Sequence, residues 1–173
     1  MRHTAGVPAQ LGVKRGGDTF LRPVADADTA GVHALIGAIF AEYGYTLDVE
    51  HEDPHLRDPG PHFRATGGEF WVLDHGGRVL GCCGALLHAD AGELKAMYVA
   101  HEIRRQGWGR ALCRVVFDHV RAADLRRVFL WSDTRFEDAH RLYERVGFVR
   151  TGRRDMAVTN VFSEYRYERS LPP

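Results

Sequence analysis

At 173 residues and 19.5 kDa the chain has room for one domain with one core, and 45% apolar against 27% charged residues excludes a disordered composition. Its 23 basic residues balance 23 acidic ones, so the whole molecule has no electrostatic pull toward nucleic acid or an anionic membrane. No apolar run approaches the roughly 18 residues of a membrane span, and three cysteines without C-x-x-C spacing exclude a disulfide framework.

Residues 1–18 hold four glycines and a proline with no apolar period and no signal-peptide core, and are expected to form a flexible tail ahead of a single domain over 19–173. A reducing, cytoplasmic location is the default that follows. Thr19 to Pro23 reads as a short strand closed by proline. Asp26 or Asp28 can cap a helix in which Val32, Leu35, Ile36 and Ile39 recur at helical spacing. From Tyr43 to Gly68 the chain is polar and carries Pro54, Pro59 and Pro61, the histidines His51, His55 and His62, and four acids between Asp48 and Asp53. It is expected to be irregular apart from a helical turn near Asp53, and to line a binding pocket.

Glu69 to Asp74 and Arg78 to Leu87 form a strand pair around the hairpin turn His75-Gly76-Gly77, and a third strand follows over Glu93 to Val99. Gly107 opens a helix with Trp108, Leu112, Val115, Val116, His119 and Val120 on one face. A strand at Arg127 to Ser132 precedes a helix from about Arg135 to Val146, stopped by Gly147. Strands at Phe148 to Gly152 and Val161 to Tyr167 complete the order β-α-(irregular)-β-β-β-α-β-α-β-β. That order implies a mixed α/β fold: a mostly antiparallel central sheet flanked by helices on both faces.

The most informative window is Val99 to Leu112. A strand ends, a short connection carries arginines, and Gly107 and Gly109 enter a helix. Unpaired backbone N–H groups and the positive end of the helix dipole then converge on one spot, which suits a phosphate. Both glycines admit a close main-chain approach, and Arg104, Arg105 and Arg110 can add charge-assisted bonds. A P-loop needs Gly-Lys-Ser/Thr, and a dinucleotide fingerprint needs a third glycine where Leu112 stands; neither is present. The bland alternative is a capped helix with an exposed basic turn, but two glycines weaken a first helical turn without return.

Arg104-x-x-Gly107-x-Gly109, preceded by Met97-Tyr98-Val99, resembles the acyl-CoA pyrophosphate motif of the GNAT superfamily of N-acyltransferases. Ala139-His140-Arg141-Leu142-Tyr143-Glu144-Arg145-Val146-Gly147-Phe148 resembles the second block of that superfamily, and Glu93-Leu94-Lys95 is similar to the lead-in of a bacterial branch. The resemblance runs from Phe20 to Tyr167 in element order and is specific from Glu93 to Phe148. Two departures stand out. Arg105 occupies a place where the family often has glycine, which is tolerable if φ stays negative, and Phe136 replaces an asparagine that bonds the pantetheine arm.

The resemblance implies the GNAT fold and direct attack of a primary amine on acetyl-CoA, used as co-substrate. It places the cofactor on Met97, Tyr98, Val99, Arg104, Arg105, Gln106, Gly107, Trp108, Gly109 and Arg110, with Met97 and Val99 pairing the pantetheine arm through main-chain groups. Tyr143 is the candidate acid for the leaving thiolate; the alternative is a core tyrosine on the stripe Ala139-Leu142-Tyr143-Val146. Glu93 is the candidate base, expected on the strand face of Lys95 and Met97, against the alternative of a carboxylate paired with Lys95. Asp133 is the reserve.

Cys82, Cys83 and Cys113 read as buried packing. The prolines argue against a helix that would gather His51, His55 and His62, so no metal site is expected. The expected acceptor is a small molecule, with no nucleic-acid or membrane partner and with homodimerisation through strand edges left open. A non-catalytic acyl-CoA-binding module and an acetyltransferase acting on protein N-termini or lysines remain the competing functions.

Overall fold

The computed structural model describes residues 19–157 and 161–172; the expected N-terminal tail lies outside them. Seven strands form one sheet in the order β1-β2-β3-β4-β5-β7-β6, with β1 Thr19–Pro23, β2 Glu69–His75, β3 Arg78–Leu87, β4 Gly92–Val99, β5 Arg127–Asp133, β6 Val149–Ala157 and β7 Val161–Ser170. Every neighbouring pair is antiparallel except β4 and β5. The helices are α1 Thr29–Glu42, α2 Pro59–Arg64, α3 Trp108–Ala122 and α4 Glu137–Arg145. Among the described residues, no helix is long and apolar enough to cross a membrane.

Both faces of the sheet centre are covered, so its strands read as continuous apolar runs rather than alternating ones. Phe70 and Val72 of β2 pack with Val32, Leu35, Ile36 and Ile39 of α1, while Trp71 and Leu73 pack with Leu112, Val116 and Val120 of α3. Gly76 and Gly77 take φ of 57° and 86° in the β2–β3 turn, the left-handed pair that a two-residue hairpin needs.

Several boundaries depart from the sequence reading. Asp28 does not cap α1 with its side chain. Its carboxylate accepts the Ala25 amide at 2.8 Å and both Arg22 Nη groups at 2.6 and 2.9 Å, and the Arg22 guanidinium holds it below the usual carboxylate range. The prolines do not exclude a helix from the Tyr43–Gly68 segment. Pro59 and Pro61 sit in the first turn of α2, where amide hydrogens have no intrahelical partner to lose. α4 begins at Glu137 rather than Arg135, because Asp133 Oδ1 accepts the Arg135 amide at 2.9 Å and holds that stretch in a turn. β6 runs on to Ala157, past an irregularity between Arg150 and Gly152.

Two close contacts position the site. Phe63 of α2 lies directly on Gly84 of β3, where a β-carbon would stand 2.1 Å from the ring. This contact fixes the Tyr43–Gly68 segment over the sheet. At the end of α4, Gly147 (φ 91°) lets its amide bond Glu144 O at 3.0 Å while the Phe148 amide bonds Tyr143 O at 2.9 Å. That is a Schellman turn, and it presses Phe148 against Tyr143 with ring centroids 5.8 Å apart. Gly84→Ala must displace Phe63, and we expect a loss of about 1–3 kcal/mol in urea unfolding from overpacking.

Candidate active site

β4 pairs with β5 only where Gly92 and Glu93 meet Val128 and Phe129. Just beyond, β4 carries one residue more than β3 between the pairs Gly84–Lys95 and Cys82–Tyr98, and Ala96 absorbs the excess at φ 52°. A bulge bends its strand and re-aims the side chains after it. Leu94 packs on the α3 side, yet Ala96 and Tyr98 pack on the α1 side and Met97 and Val99 on the α3 side. Between the parted strands opens a cleft of about 1330 Å³. The main chain of β4 from Leu94 onward faces it without a strand partner.

At one end the cleft reaches the turn before α3. Gly107 is the helix cap at φ 90°, which only glycine takes without strain, and the amides of Trp108, Gly109 and Arg110 fall in the first turn, free of intrahelical carbonyls. Gly109 has a packing role: a β-carbon there would come 2.6 Å from Leu142 Cδ2, so the glycine seats α3 against α4. Trp108 turns its side chain into the core, leaving its amide as its contribution. Tyr98 likewise packs away from Met97, against Phe40 at 5.7 Å.

Two expectations for this turn are corrected. Arg104 is not free for an anion, because Nε donates to Val99 O at 3.0 Å and its Nη groups hold Glu42 at 3.1 and 3.2 Å, tying the turn to β4 and α1. Arg105 does not keep φ negative; it sits at φ 62°, the left-handed conformation suited to the glycine it replaces. Gln106 Nε2 donates to Glu102 O. Arg105, Arg110 and Arg145 border the cleft with no ion-pair partner among the described residues.

Tyr143 is both a core residue and a cleft residue. Its ring is wedged between Phe148 and Tyr167, each 5.8 Å away, and only 6% of the residue is exposed. Burial holds its phenol well above the usual pKa, so it stays protonated and able to donate.

Glu93 is not in the cleft. The bulge at Ala96 puts it on the face opposite Met97, where Oε2 meets His88 Nε2 at 3.0 Å and Oε1 lies 3.8 Å from Lys95 Nζ. This is the paired-carboxylate alternative. Asp133 does line the cleft, but Tyr45 Oη donates to it at 3.0 Å, and the Arg135 amide, Nε and Nη2 donate at 2.9, 3.0 and 2.8 Å. Burial raises its pKa, yet no lone pair is left for a substrate. Phe136, in the asparagine's place, stacks edge-on against Tyr43 at 4.7 Å and joins α1 to the start of α4 across the cleft.

The carboxylates that no single residue in the sequence signalled are Glu52 and Asp53. Both line the cleft from the α1–α2 segment, and neither side chain has an ion pair among the described residues; the Asp48 main chain and the charge of Lys95 act on the Asp53 carboxylate. Burial, with Glu52 adding to it, pushes the Asp53 carboxyl up to about 6. Adjacent acids just before Pro54 were the available signal, but a solvated loop gives the same pattern. The histidines nearby do not converge: His51 pairs with Asp48 at 3.0 Å, while His55 stacks on His62 and Phe63, its pKa driven by burial down to about 3. The three cysteines are buried, and burial pushes the Cys82 and Cys113 thiols up to about 12.

The GNAT acetyltransferase family model matches residues 34–148. The chain is 28% identical over 127 residues to the uncharacterized N-acetyltransferase YjgM of Escherichia coli, an alignment spanning 70% of this chain and 76% of that one. It is 32% identical over 124 residues to the mycothiol acetyltransferase of Thermobispora bispora, covering 68% of this chain and 41% of the relative. An acetyltransferase from Streptococcus agalactiae superposes with a TM-score of 0.78 at 19% identity over 88% of this chain and 98% of its own. The Salmonella typhimurium protein yncA, solved with acetyl-CoA, gives 0.70 at 17% identity over 89% and 94%.

A left-handed non-glycine residue costs roughly 1–2 kcal/mol. Arg105→Gly is therefore expected to raise the urea midpoint by the equivalent of about 1 kcal/mol, while weakening the binding of an anionic ligand at this end.

Proposed function

Since the chain belongs to the GNAT family of acetyltransferases and is an acetyl-CoA-dependent N-acetyltransferase, we propose that it carries the acetyl group directly to the primary amine of a small molecule, through the cleft between β4 and β5. The observation that carries this reading is the unpaired edge of β4 leading straight into the glycine-capped start of α3.

The residues fit such a ligand. First-turn amides of α3 receive a diphosphate, with Arg105 and Arg110 supplying positive charge. Main-chain groups of Met97 and Val99 pair with an extended amide-bearing arm as an added strand would. A β4 amide donates to the thioester oxygen as negative charge develops there. When bound, the co-substrate supplies an activated acetyl group, and the chain supplies position and proton management. The amine lone pair forms the new C–N bond as the C–S bond breaks. Tyr143 donates a hydrogen bond to the departing sulfur, for which a phenol held protonated by burial is suited. Tyr43, Tyr45, Thr46, His51, Glu52 and Asp53 of the Tyr43–Gly68 segment line the far side of the cleft, which favours a small acceptor over a protein chain.

Steady release of free thiol from acetyl-CoA that depends on added amine tests the reading; binding without turnover across an amine panel would favour a non-catalytic module. Tyr143→Phe is expected to lower kcat by about 100-fold with little change in KM for acetyl-CoA, read by the same assay. Gly107→Glu places a charged side chain in the anion cradle and is expected to weaken acetyl-CoA binding by at least about 100-fold in calorimetry. Gly107→Ala, with the same backbone strain and no charge, should lose less.

A further inference from the structure

The lining of the cleft is polarised. At the α3 end, Arg105, Arg110 and Arg145 have no acidic partner among the described residues. Behind the lining of the far end, the cations next to its acids and rings are already matched. Arg135 lies over the Tyr45 ring at 4.1 Å and is paired with Asp133, and Arg154 lies over Trp131 at 4.0 Å and is paired with Glu164 at 2.6 Å. Asp138 is held by Arg141 at 2.8 Å. Of the acids that line the cleft, Glu52 and Asp53 alone have no ion pair among the described residues; Lys95 of β4 is near enough to draw the Asp53 carboxyl down, but its ion pair is with Glu93. Around them stand rings in edge-to-face contact: Phe40 with Tyr98 and Tyr45, and Tyr45 with Phe162 at 6.3 Å.

Two carboxylates without an ion pair of their own beside apolar rings outnumber the one nearby lysine, which makes a poor place for an anion and a good one for an alkylammonium. Resting on the acetyltransferase reading above, we infer that the acceptor is a primary amine that enters as a cation, has an apolar carbon skeleton, and carries no carboxylate or phosphate, its ammonium group being received by Glu52 and Asp53. The ammonium must lose a proton before its nitrogen can attack. Asp53 takes one proton before the attack, leaving a neutral amine; as the C–N bond forms and the C–S bond breaks, the nitrogen gives up a second proton and the departing thiolate gains one, so the products are amide and free thiol, while Glu52 keeps its charge toward the cation. Around Asp53 lie Glu52 and Asp48 of its own segment and Lys95 and Tyr98 of β4. Burial and Glu52 together poise its carboxyl near 6, closer to neutrality than an ordinary aspartate and so better matched to accepting a proton at physiological pH.

The test uses amines that differ only in the carboxylate: 2-phenylethylamine against phenylalanine, and agmatine against arginine, assayed by thiol release from acetyl-CoA. The decarboxylated member of at least one pair should have the higher kcat/KM by more than about tenfold. Glu52→Gln should raise KM for that amine without moving KM for acetyl-CoA, and Asp53→Asn should cut kcat with the thermal unfolding midpoint unchanged. Equal use of both members, or preference for the amino acids, overturns this inference and leaves the acetyltransferase reading standing. Thiol release from none of the four, while calorimetry shows acetyl-CoA bound, overturns both the inference and the small-amine reading.

Discussion

Beyond Glu93 the backbone of β4 has no strand on its β5 side, and the rest of the site depends on that gap. In a continuous sheet those amides and carbonyls would be spent on β5, and no cleft would exist. The extra residue at Ala96 bends β4 out of line, so the two strands are joined at one end and open at the other. The same bulge reverses the alternation of side chains along β4. Glu93 is turned to the opposite face while Met97 and Val99 remain along the cleft.

Holding this opening requires unfavourable backbone geometry. Ala96 and Arg105 both sit at positive φ without being glycine, each costing on the order of 1–2 kcal/mol against a typical domain stability of about 5–15. Ordinary packing and bonding hold the strained segments in place. Arg104 ties the turn to Val99 and Glu42, Leu142 fills the space left by Gly109, and Phe63 seated on Gly84 anchors the roof segment. Strain gathered where ligands bind and relieved elsewhere is the common pattern of functional sites. Tyr143 follows the same logic: the helix-stop glycine at Gly147 folds Phe148 back against it and fixes a buried phenol at the cleft wall.

Charge is distributed along the cleft rather than across the molecule. A neutral chain carries, among the described residues, arginines without an ion pair at the helix end and acids without one at the loop end, while Arg135 and Arg154 are stacked on rings and neutralised by carboxylates. Two reactants of different charge can thus approach from opposite ends, with the thioester and the nitrogen meeting between them.

Much of this was legible in the amino-acid order because it is local. Hydrophobic period marked α1 and α3, the Gly76-Gly77 pair marked the hairpin, and Gly107 and Gly147 marked where α3 begins and α4 stops; each is a constraint on neighbouring φ/ψ angles that a short window contains. The two motif blocks fixed the family for the same reason. What the order of residues alone did not determine was which groups meet. Which face Glu93 shares with the later residues of β4 depends on one bulge residue, and the last acceptor site on Asp133 is taken by Tyr45, 88 positions away. Arg104 and Arg105 look alike in sequence, yet one is tied down by Glu42 from α1 and the other is free and strained. Partnership of charges and the side to which a strand turns its residues arise from long-range packing, and only the folded chain decides them.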